Sequence, residues 1–351
     1  MLKFAAMQQL LSRLSLVSLV SIFLVIMAGS IVRMTGSGMG CPDWPKCFGY
    51  YVPPTDIETL TWQEDRQFEK GNIIIKDEGL LVAKADFISG AQFEKGNWEV
   101  YTKHDYAIFN PVHTWTEFVN RLLGALSGLP VLACFFVSIF FFKRDPIVTI
   151  LGLTGVLLLG FEAWLGKIVV DGNLVPHQIT YHMFGAIALV ALYIFLYVRL
   201  DKKALVFRAI RDKMIIKLGL AAIIIILFQI FLGTTVREEI DLIGKSQLLS
   251  YSDWTDQLSI FFKFHRSFSI AVLLAVGYFA VRVVRTRTIS TLPRILLAAI
   301  ILEVLLGIGL AYLDLPAILQ PLHLLFAVAD FGLIFVIVLV YLKKTKADIV
   351  L

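Results

Sequence analysis

Charged side chains are scarce in this chain of 351 residues. Asp, Glu, Lys and Arg make up 17% of the sequence, whereas hydrophobic residues make up 58%. A soluble domain has about 25% charged residues, so this composition excludes one and predicts a polytopic membrane protein. We expect eight apolar runs to span a bilayer, because a span needs roughly 20 residues. They are about 14–32, 118–142, 147–169, 178–199, 214–235, 264–281, 295–312 and 321–342.

The sequence also lacks an A-x-A cleavage pattern after the first apolar run. We therefore interpret 14–32 as a membrane span and not as a removed signal peptide. An even number of spans places both termini on one side, and the short loops and tail on that side hold most of the Lys and Arg residues. The positive-inside rule then predicts cytoplasmic termini in a cell inner membrane. The net charge of +5 reflects this topology and does not indicate nucleic-acid binding.

Cysteine is rare as well, with three residues in the chain. Further ligands for a zinc site are not evident near them. Cys134 lies within the second span and is expected to pack as a small apolar residue. Cys41 and Cys47 lie in "GCPDWPKCFG", just outside the first span on the face opposite the cytoplasm. We predict a disulfide there, with two free thiols as the alternative.

The chain repeats itself. "AGSIVR" (28–33) ends the first span and "LGTTVR" (232–237) ends the fifth, while "FVNR" and "KFHR" open the second and sixth. Glu162 precedes His182 by 20 residues, and Glu303 precedes His323 by 20 residues. This order predicts two homologous four-helix halves, 13–199 and 214–342, in parallel topology.

The first outer loop, residues 34–116, has no counterpart of its size in the second half. It is polar, and it contains "NIIIKDEGLLVAKADFI", whose short runs are expected to pair as strands. Two interpretations stay open: a lid over the outer face of the first half, or a solvated insertion.

Three histidines share one depth in the predicted topology. His182, His265 and His323 each lie in the first two turns of an even-numbered span. We expect His265 and His323 to face each other across the second bundle with a flat ligand between them, as in a six-coordinate heme site. The alternative is that each is a hydrogen-bonded interior histidine.

The remaining histidines are assigned to the loops. His104 and His113 are expected to be solvated in the outer loop. His177 lies five residues before His182, which places it off the same helical face.

Four arginines lie at the outer ends of the predicted spans. Arg33 and Arg237 end the first and fifth spans, and Arg121 and Arg266 directly follow Asn120 and His265. A guanidinium at this depth either reaches the headgroups or binds a heme propionate.

These features together resemble the heme A synthase family. The resemblance rests on "GSGMGCPDWPKCFG" (36–49), "EFVNR" (117–121), "ITYHMFGA" around His182, "FHR" (264–266) and "PLHLLFA" (321–327). It covers most of the chain apart from the enlarged outer loop. It implies an all-α integral membrane protein with eight transmembrane helices in two pseudo-symmetric four-helix bundles.

The resemblance also implies a reaction and a set of roles. The family oxidises the methyl group at porphyrin position 8 of heme O, through an alcohol, to the formyl group of heme A. Heme B is implied between His265 and His323 in the C-terminal half, beside Arg237 and Arg266. The substrate heme is implied in the N-terminal half.

In the N-terminal half the implied substrate-heme ligand is His182, with Arg33 and Arg121 nearby. The family's second-helix histidine is replaced here by Asn120, an asparagine that is a poor iron ligand. Glu117 lies one helical turn before Asn120, and its equivalent in the second half is Phe262. We interpret Glu117 as a catalytic or proton-relaying acid. The alternative is an interfacial glutamate favoured by the helix dipole.

Two other functions remain as alternatives. One is a di-heme b-type electron carrier, and the other is a repeat-built transporter that uses Glu162, Glu303 and Asp330. Matched Gly/Pro breaks, which the transporter interpretation needs, are missing from those spans. Expected partners are the lipid bilayer, heme O and its synthase, and an unidentified electron donor or acceptor; homo-oligomerisation is left open.

Overall fold

The computed structural model of the chain describes residues 2–103, 108–171, 177–200, 212–246, 254–287, 289 and 291–342. His104, the basic segment 201–211 and the tail from residue 343 lie outside these ranges. The described residues include eight helices long and apolar enough to cross a membrane, which confirms the predicted all-α integral membrane fold. The helices are α1 (Leu2–Met34), α2 (Pro111–Ile139), α3 (Pro146–Asp171), α4 (Gln178–Leu200), α5 (Lys213–Ser246), a short α6 (Trp254–Gln257), α7 (Ile260–Arg285), α8 (Thr291–Tyr312) and α9 (Leu319–Leu342).

Several helices extend beyond the spans predicted from hydrophobicity. Helix α1 begins at Leu2, where the predicted span began near residue 14, and α5 continues to Ser246, where the predicted span ended near 235. Apolar composition marks only the part of a helix inside the hydrocarbon layer, whereas backbone hydrogen bonding continues into the headgroup region. Helix α2 likewise begins at Pro111, with the Asn110 side chain accepting from the Val112 backbone N–H at 2.9 Å. His113 therefore lies on helix α2 and not in the loop, which corrects the sequence-based assignment.

The same ring of helix contacts occurs twice. Helix α1 packs against α2 and α4, and α3 packs against the same two helices. Helix α5 packs against α7 and α9, and α8 packs against those two. The chain is therefore built of two pseudo-symmetric four-helix bundles, which meet where α9 contacts α1 and α4 and where α5 contacts α4.

Two glutamates in the C-terminal turns of α5 accept hydrogen bonds from the starts of helices α4 and α7. Glu238 Oε1 accepts from the His177 backbone N–H at 2.9 Å and from Thr180 Oγ1 at 3.0 Å, at the beginning of α4. Glu239 accepts from the Ser259 backbone N–H at 3.0 Å, immediately before α7. His177 has a φ of +68° and lies outside the helix, as predicted. The extra turns of α5 thus hold the starts of α4 and α7, the helices that carry His182 and His265.

The outer loop folds as a small β-structure. Strands β1 (Gln67–Phe68) and β4 (Phe87–Ile88) pair antiparallel, and β2 (Ile73–Lys76), β3 (Gly79–Ala83) and β5 (Trp98–Val100) form a sheet in the order β2-β3-β5. The predicted pairing within "NIIIKDEGLLVAKADFI" is confirmed as the β2–β3 hairpin, whose turn residues have φ of +51° and +60°, as a two-residue hairpin turn requires. Phe68 and Trp98 pack edge to face at 5.0 Å within a core that belongs to the insertion.

Candidate functional site

In the second bundle, the two predicted histidines face each other. His265 on α7 and His323 on α9 have ring centroids 6.2 Å apart, with ring planes at 84°. Two imidazoles bound to one metal at roughly 2 Å each hold their ring centroids about 6 Å apart. The pair therefore fits a single iron between the rings.

Two glycines leave room for these rings. A Cβ added at Gly233 on α5 would lie 3.0 Å from His265 Cε1, and one added at Gly307 on α8 would lie 3.2 Å from His323 Cε1. The absence of a side chain at both positions lets the neighbouring helices approach the imidazoles closely.

An acid lies behind one histidine in each bundle. His323 Nδ1 is 3.2 Å from both the backbone carbonyl and Oε1 of Glu303 on α8. His182 Nδ1 is 2.6 Å from Glu162 Oε2 on α3, although the ring is not aligned for an ideal hydrogen bond. The equal 20-residue spacing thus corresponds to the same spatial contact in both halves.

The first bundle has the same helix arrangement as the second, but it lacks the facing pair of histidines. A Cβ added at Gly29 on α1 would lie 3.8 Å from Asn120 Oδ1, just as Gly233 lies against His265. Asn120 Oδ1 is buried without a hydrogen-bond partner in the described part of the chain. The His182 side chain is 43% exposed, compared with 23% for His323. The first site is therefore the more open one, with the Asn120 amide at the position equivalent to His265.

The cysteines form the predicted disulfide. Cys41 and Cys47 are joined in the structure, and both residues are buried. A Cβ added at Gly40 would lie 2.5 Å from the backbone of His113, so the loop packs directly on the start of α2. Thr114 Oγ1 donates to the Gly40 carbonyl at 2.8 Å. Cys134 is free and buried, as expected.

Glu117 and Arg121 fasten this disulfide loop to α2. Glu117 is 3% exposed; its Oε2 accepts from the Cys41 backbone N–H at 2.8 Å, and its Oε1 pairs with Arg121. Arg121 also donates to the carbonyls of Asp43 at 2.7 Å and Lys46 at 3.0 Å. Burial raises the pKa of the Asp43 carboxyl. The hydrogen bond that this carboxyl accepts from the Gly49 backbone N–H acts in the opposite direction and lowers the pKa. The structure therefore places a buried acid–base pair between the loop and the face of α2 that holds Asn120.

The arginines at the ends of α1 and within α5 meet where the two halves join. Arg33 pairs with Asp241, and Arg237 Nη2 lies 2.9 Å from Asp241 Oδ1 and donates to the Arg33 carbonyl at 2.7 Å. Arg237 also bonds to Gln320 on α9. Arg266, by contrast, is exposed, with its guanidinium 5.7 Å from the Phe262 ring centroid. Propionate binding by these arginines stays a prediction.

Comparison with known proteins decides the family. Residues 12–89 and 81–335 match the COX15-CtaA model, which is described as "Cytochrome oxidase assembly protein". The chain belongs to the COX15-CtaA family. Similar proteins include the heme A synthase of Shewanella oneidensis, 25% identical over 327 residues, which cover 86% of this chain and 87% of the relative. The heme A synthase of Rickettsia bellii is 25% identical over 355 residues, covering 92% of this chain and 95% of the relative.

In this COX15-CtaA protein, the structure adds three residues that sequence reasoning did not assign to the site. Glu162 and Glu303 were noted as repeat marks but not as partners of the histidines, although their spacing was the available signal. Asp241 was missed, and its signal is its position four residues after Arg237, on the same helical face.

Proposed function

We propose that this protein is a heme A synthase, a membrane oxidoreductase that converts the methyl group at porphyrin position 8 of heme O to the formyl group of heme A. The single observation that carries the proposal is the difference between two otherwise matching bundles. One holds a facing histidine pair 6.2 Å apart. The other has the same frame, with Asn120 in place of one histidine and a more exposed His182. The heme A synthases among the relatives support this assignment.

The second bundle is the proposed heme B site. His265 and His323 would hold the iron from opposite sides, and Gly233 and Gly307 allow the close packing that this arrangement needs. A heme bound by two histidines supplies one-electron transfer. The protein's own contribution is to keep both rings in place and to keep water away from them.

The first bundle is the proposed substrate site. His182 would bind the iron of heme O, and Asn120, an amide where the second bundle has His265, would leave room at the iron for a small molecule. Arg33 and Arg121 are the proposed outer contacts, but the guanidinium of Arg121 is already engaged by the disulfide loop. Arg121 would therefore act on the substrate mainly by holding that loop over the site.

Glu117 is the proposed proton-handling acid of this bundle. Its carboxylate is buried one helical turn from Asn120 and held from two sides, by the Cys41 N–H and by Arg121. An acid fixed in this way is positioned to take or give a proton beside the substrate. The second bundle has Phe262 at the equivalent position, which fits a site that transfers electrons without proton chemistry.

The proposed setting is a cell inner membrane, with both termini cytoplasmic and the disulfide loop on the opposite face. Heme O would arrive from its synthase. Conversion of its methyl group to a formyl group inserts one oxygen atom and is a four-electron oxidation, so the reaction would need either water as the oxygen source with an electron acceptor, or O2 as both oxygen source and oxidant, with a donor for any electrons that O2 reduction requires beyond those from the methyl group. The bilayer surrounds both bundles.

The deciding experiment is to purify the protein and to identify its extracted pigments by mass. Heme O or heme A together with heme B supports the synthase. Heme B alone would indicate an electron carrier without its own chemistry, and a protein free of heme would refute both assignments. Replacing His265 or His323 with alanine should remove the bis-histidine spectrum.

The role of Glu117 has its own test. Glu117→Gln keeps an oxygen that can accept from the Cys41 N–H but removes the carboxylate. We expect heme B to be retained and heme A formation to fall by about a hundredfold or more, within the range of general acid–base catalysis. Glu64→Gln, a change of the same kind at an exposed glutamate of the outer loop, should leave heme A formation unchanged. Parental heme A formation in Glu117→Gln would leave Glu117 with only its structural role.

A further inference from the structure

The acids behind the candidate ligands are arranged alike in both bundles. Glu162 on α3 approaches His182 on α4, and Glu303 on α8 approaches His323 on α9. Each acid lies on the third helix of its bundle and each histidine on the fourth. The same Glu–His contact occurs at equivalent positions of both bundles, so it is not an accident of packing at one position.

The contacts determine which ring nitrogen carries the proton. A carbonyl oxygen only accepts hydrogen bonds, and so does an ionised carboxylate. His323 Nδ1 faces both kinds of oxygen at 3.2 Å, and His182 Nδ1 faces the Glu162 carboxylate at 2.6 Å. His323 therefore favours the tautomer with its proton on Nδ1, which leaves the lone pair of Nε2 for a metal. The inference extends this arrangement to His182, whose Nδ1 faces Glu162 at the equivalent place of the repeat.

We infer that Glu162 and Glu303 are positioning residues: they fix the imidazoles of His182 and His323 and make Nε2 the iron-binding nitrogen. The inference rests on the proposed function, since it needs heme at both sites. A carboxylate that accepts from the far side of a ligand imidazole also makes that imidazole a stronger electron donor. Ferric iron is stabilised over ferrous iron as a result.

The two halves differ in how firmly the ring is held. His323 has two acceptors from Glu303, one of which is the backbone carbonyl and survives any substitution of the side chain. His182 has only the Glu162 carboxylate within that distance among the described contacts. Loss of the Glu303 carboxylate should therefore change only the electronic properties of the heme in the second bundle. Loss of the Glu162 carboxylate should change the electronic properties of the heme in the first bundle and also lower the amount of heme bound there.

Gly185 offers an independent way to disturb the first contact. A Cβ added at Gly185 on α4 would lie 1.6 Å from Glu162 Oε1 and 2.6 Å from its Cδ. Gly185→Ala must therefore displace the carboxylate while the acid itself remains in the chain. Gly128→Ala is the matched control, because a Cβ at that helical position would meet no described residue within 4 Å.

The experiment uses the full-length protein purified with its pigments. Glu303→Gln should retain heme B but raise its midpoint potential, with a change of about tenfold in the ferric-to-ferrous ratio at fixed potential, or about 59 mV. Glu162→Gln should leave that potential unchanged but lower the content of heme O and heme A severalfold. Gly185→Ala should reproduce the effect of Glu162→Gln, and Gly128→Ala should not.

The possible failures are distinguishable. A parent protein purified without heme would refute the proposed function and the inference with it. A heme-loaded parent whose heme B potential is unchanged by Glu303→Gln, with heme O and heme A content unchanged in Glu162→Gln and Gly185→Ala, would overturn the inference alone. If Glu162→Gln does not accumulate in the membrane, Gly185→Ala and Glu303→Gln still decide the question.

Discussion

Replacing Arg121 with alanine should detach the disulfide loop from helix α2. Arg121 binds the loop at several points: it donates to the carbonyls of Asp43 and Lys46 at 2.7 and 3.0 Å and pairs with Glu117. Its side chain is 14% exposed and that of Glu117 is 4% exposed. Neither charge is therefore well hydrated when its partner is removed.

The expected cost follows from these contacts. A hydrogen bond to a charged group contributes about 1.5–3 kcal/mol, and removing one partner of a buried ion pair costs about 3–5 kcal/mol. The contacts share one guanidinium and are not additive, so we take about 4 kcal/mol for the local free energy of loop opening. Since 1.4 kcal/mol corresponds to about tenfold, opening should become roughly a thousandfold more frequent.

Hydrogen exchange on peptides covering residues 41–49 measures this directly. In the parent, the Cys41 N–H is protected by its bond to Glu117 at 2.8 Å, and in Arg121→Ala its exchange should accelerate by about three orders of magnitude. Arg266→Ala is the matched control, because Arg266 is at the equivalent position of the repeat but is exposed over the Phe262 ring. Unchanged protection of the loop in Arg121→Ala would show that the disulfide and the Gly40 contact hold the loop without Arg121.

Three further outcomes are expected. Cys41 and Cys47 should resist a thiol reagent until a reductant is added, as the disulfide in the structure requires; mass spectrometry of the labelled peptides measures this. Gly233→Ala should lower heme B retention or shift its absorption spectrum, because the new Cβ would lie 3.0 Å from His265 Cε1. Asn120→His should convert heme in the first bundle to a low-spin, six-coordinate form detectable by EPR, with slower heme A formation, because a second ligand closes the open position.

The labelling and the Gly233→Ala predictions each have an internal control. Cys134 is free and buried, so it should label only after unfolding, with or without reductant. Gly277→Ala places a methyl group on α7 where nothing lies within 4 Å and should leave heme B unaffected. Immediate labelling of Cys41, equal heme loss in Gly233→Ala and Gly277→Ala, or an unchanged EPR signal in Asn120→His would each contradict the corresponding prediction.

The helices and their pairing could be predicted because they depend on patterns that are local in the sequence. Eight apolar runs predicted eight spanning helices, and the repeated motifs predicted two equivalent bundles. The repeat also placed residues correctly in space, since Gly29 meets Asn120 as Gly233 meets His265. A residue's depth and helical face follow from its position along the chain, and these determine most of a helical membrane site.

Contacts between helices were harder to predict, because they depend on rotation and separation that the sequence does not encode locally. Glu162 and His182 have the spacing of a repeat mark, but only the packing of α3 on α4 brings Nδ1 within 2.6 Å of Oε2. Asp241 lies beyond the apolar part of α5, so hydrophobicity ended the predicted helix before reaching it. The roles of Glu117 and Arg121 in holding the loop could not be predicted either, because they involve a loop more than 70 positions away in sequence.

The asymmetry of the molecule lies in side chains and in one insertion, and not in the arrangement of helices. Both bundles have the same helix ring and the same acid behind the fourth-helix histidine. The differences lie near the start of the second helix of each bundle, where α2 has Glu117 and Asn120 and α7 has Phe262 and His265. The disulfide loop is bound to this same segment of α2. Two identical sites would suit a protein that only passes electrons between hemes. Because the changes are concentrated on one site and replace a ligand by an amide and an apolar residue by an acid, the first bundle is the one in which chemistry on the bound heme is expected.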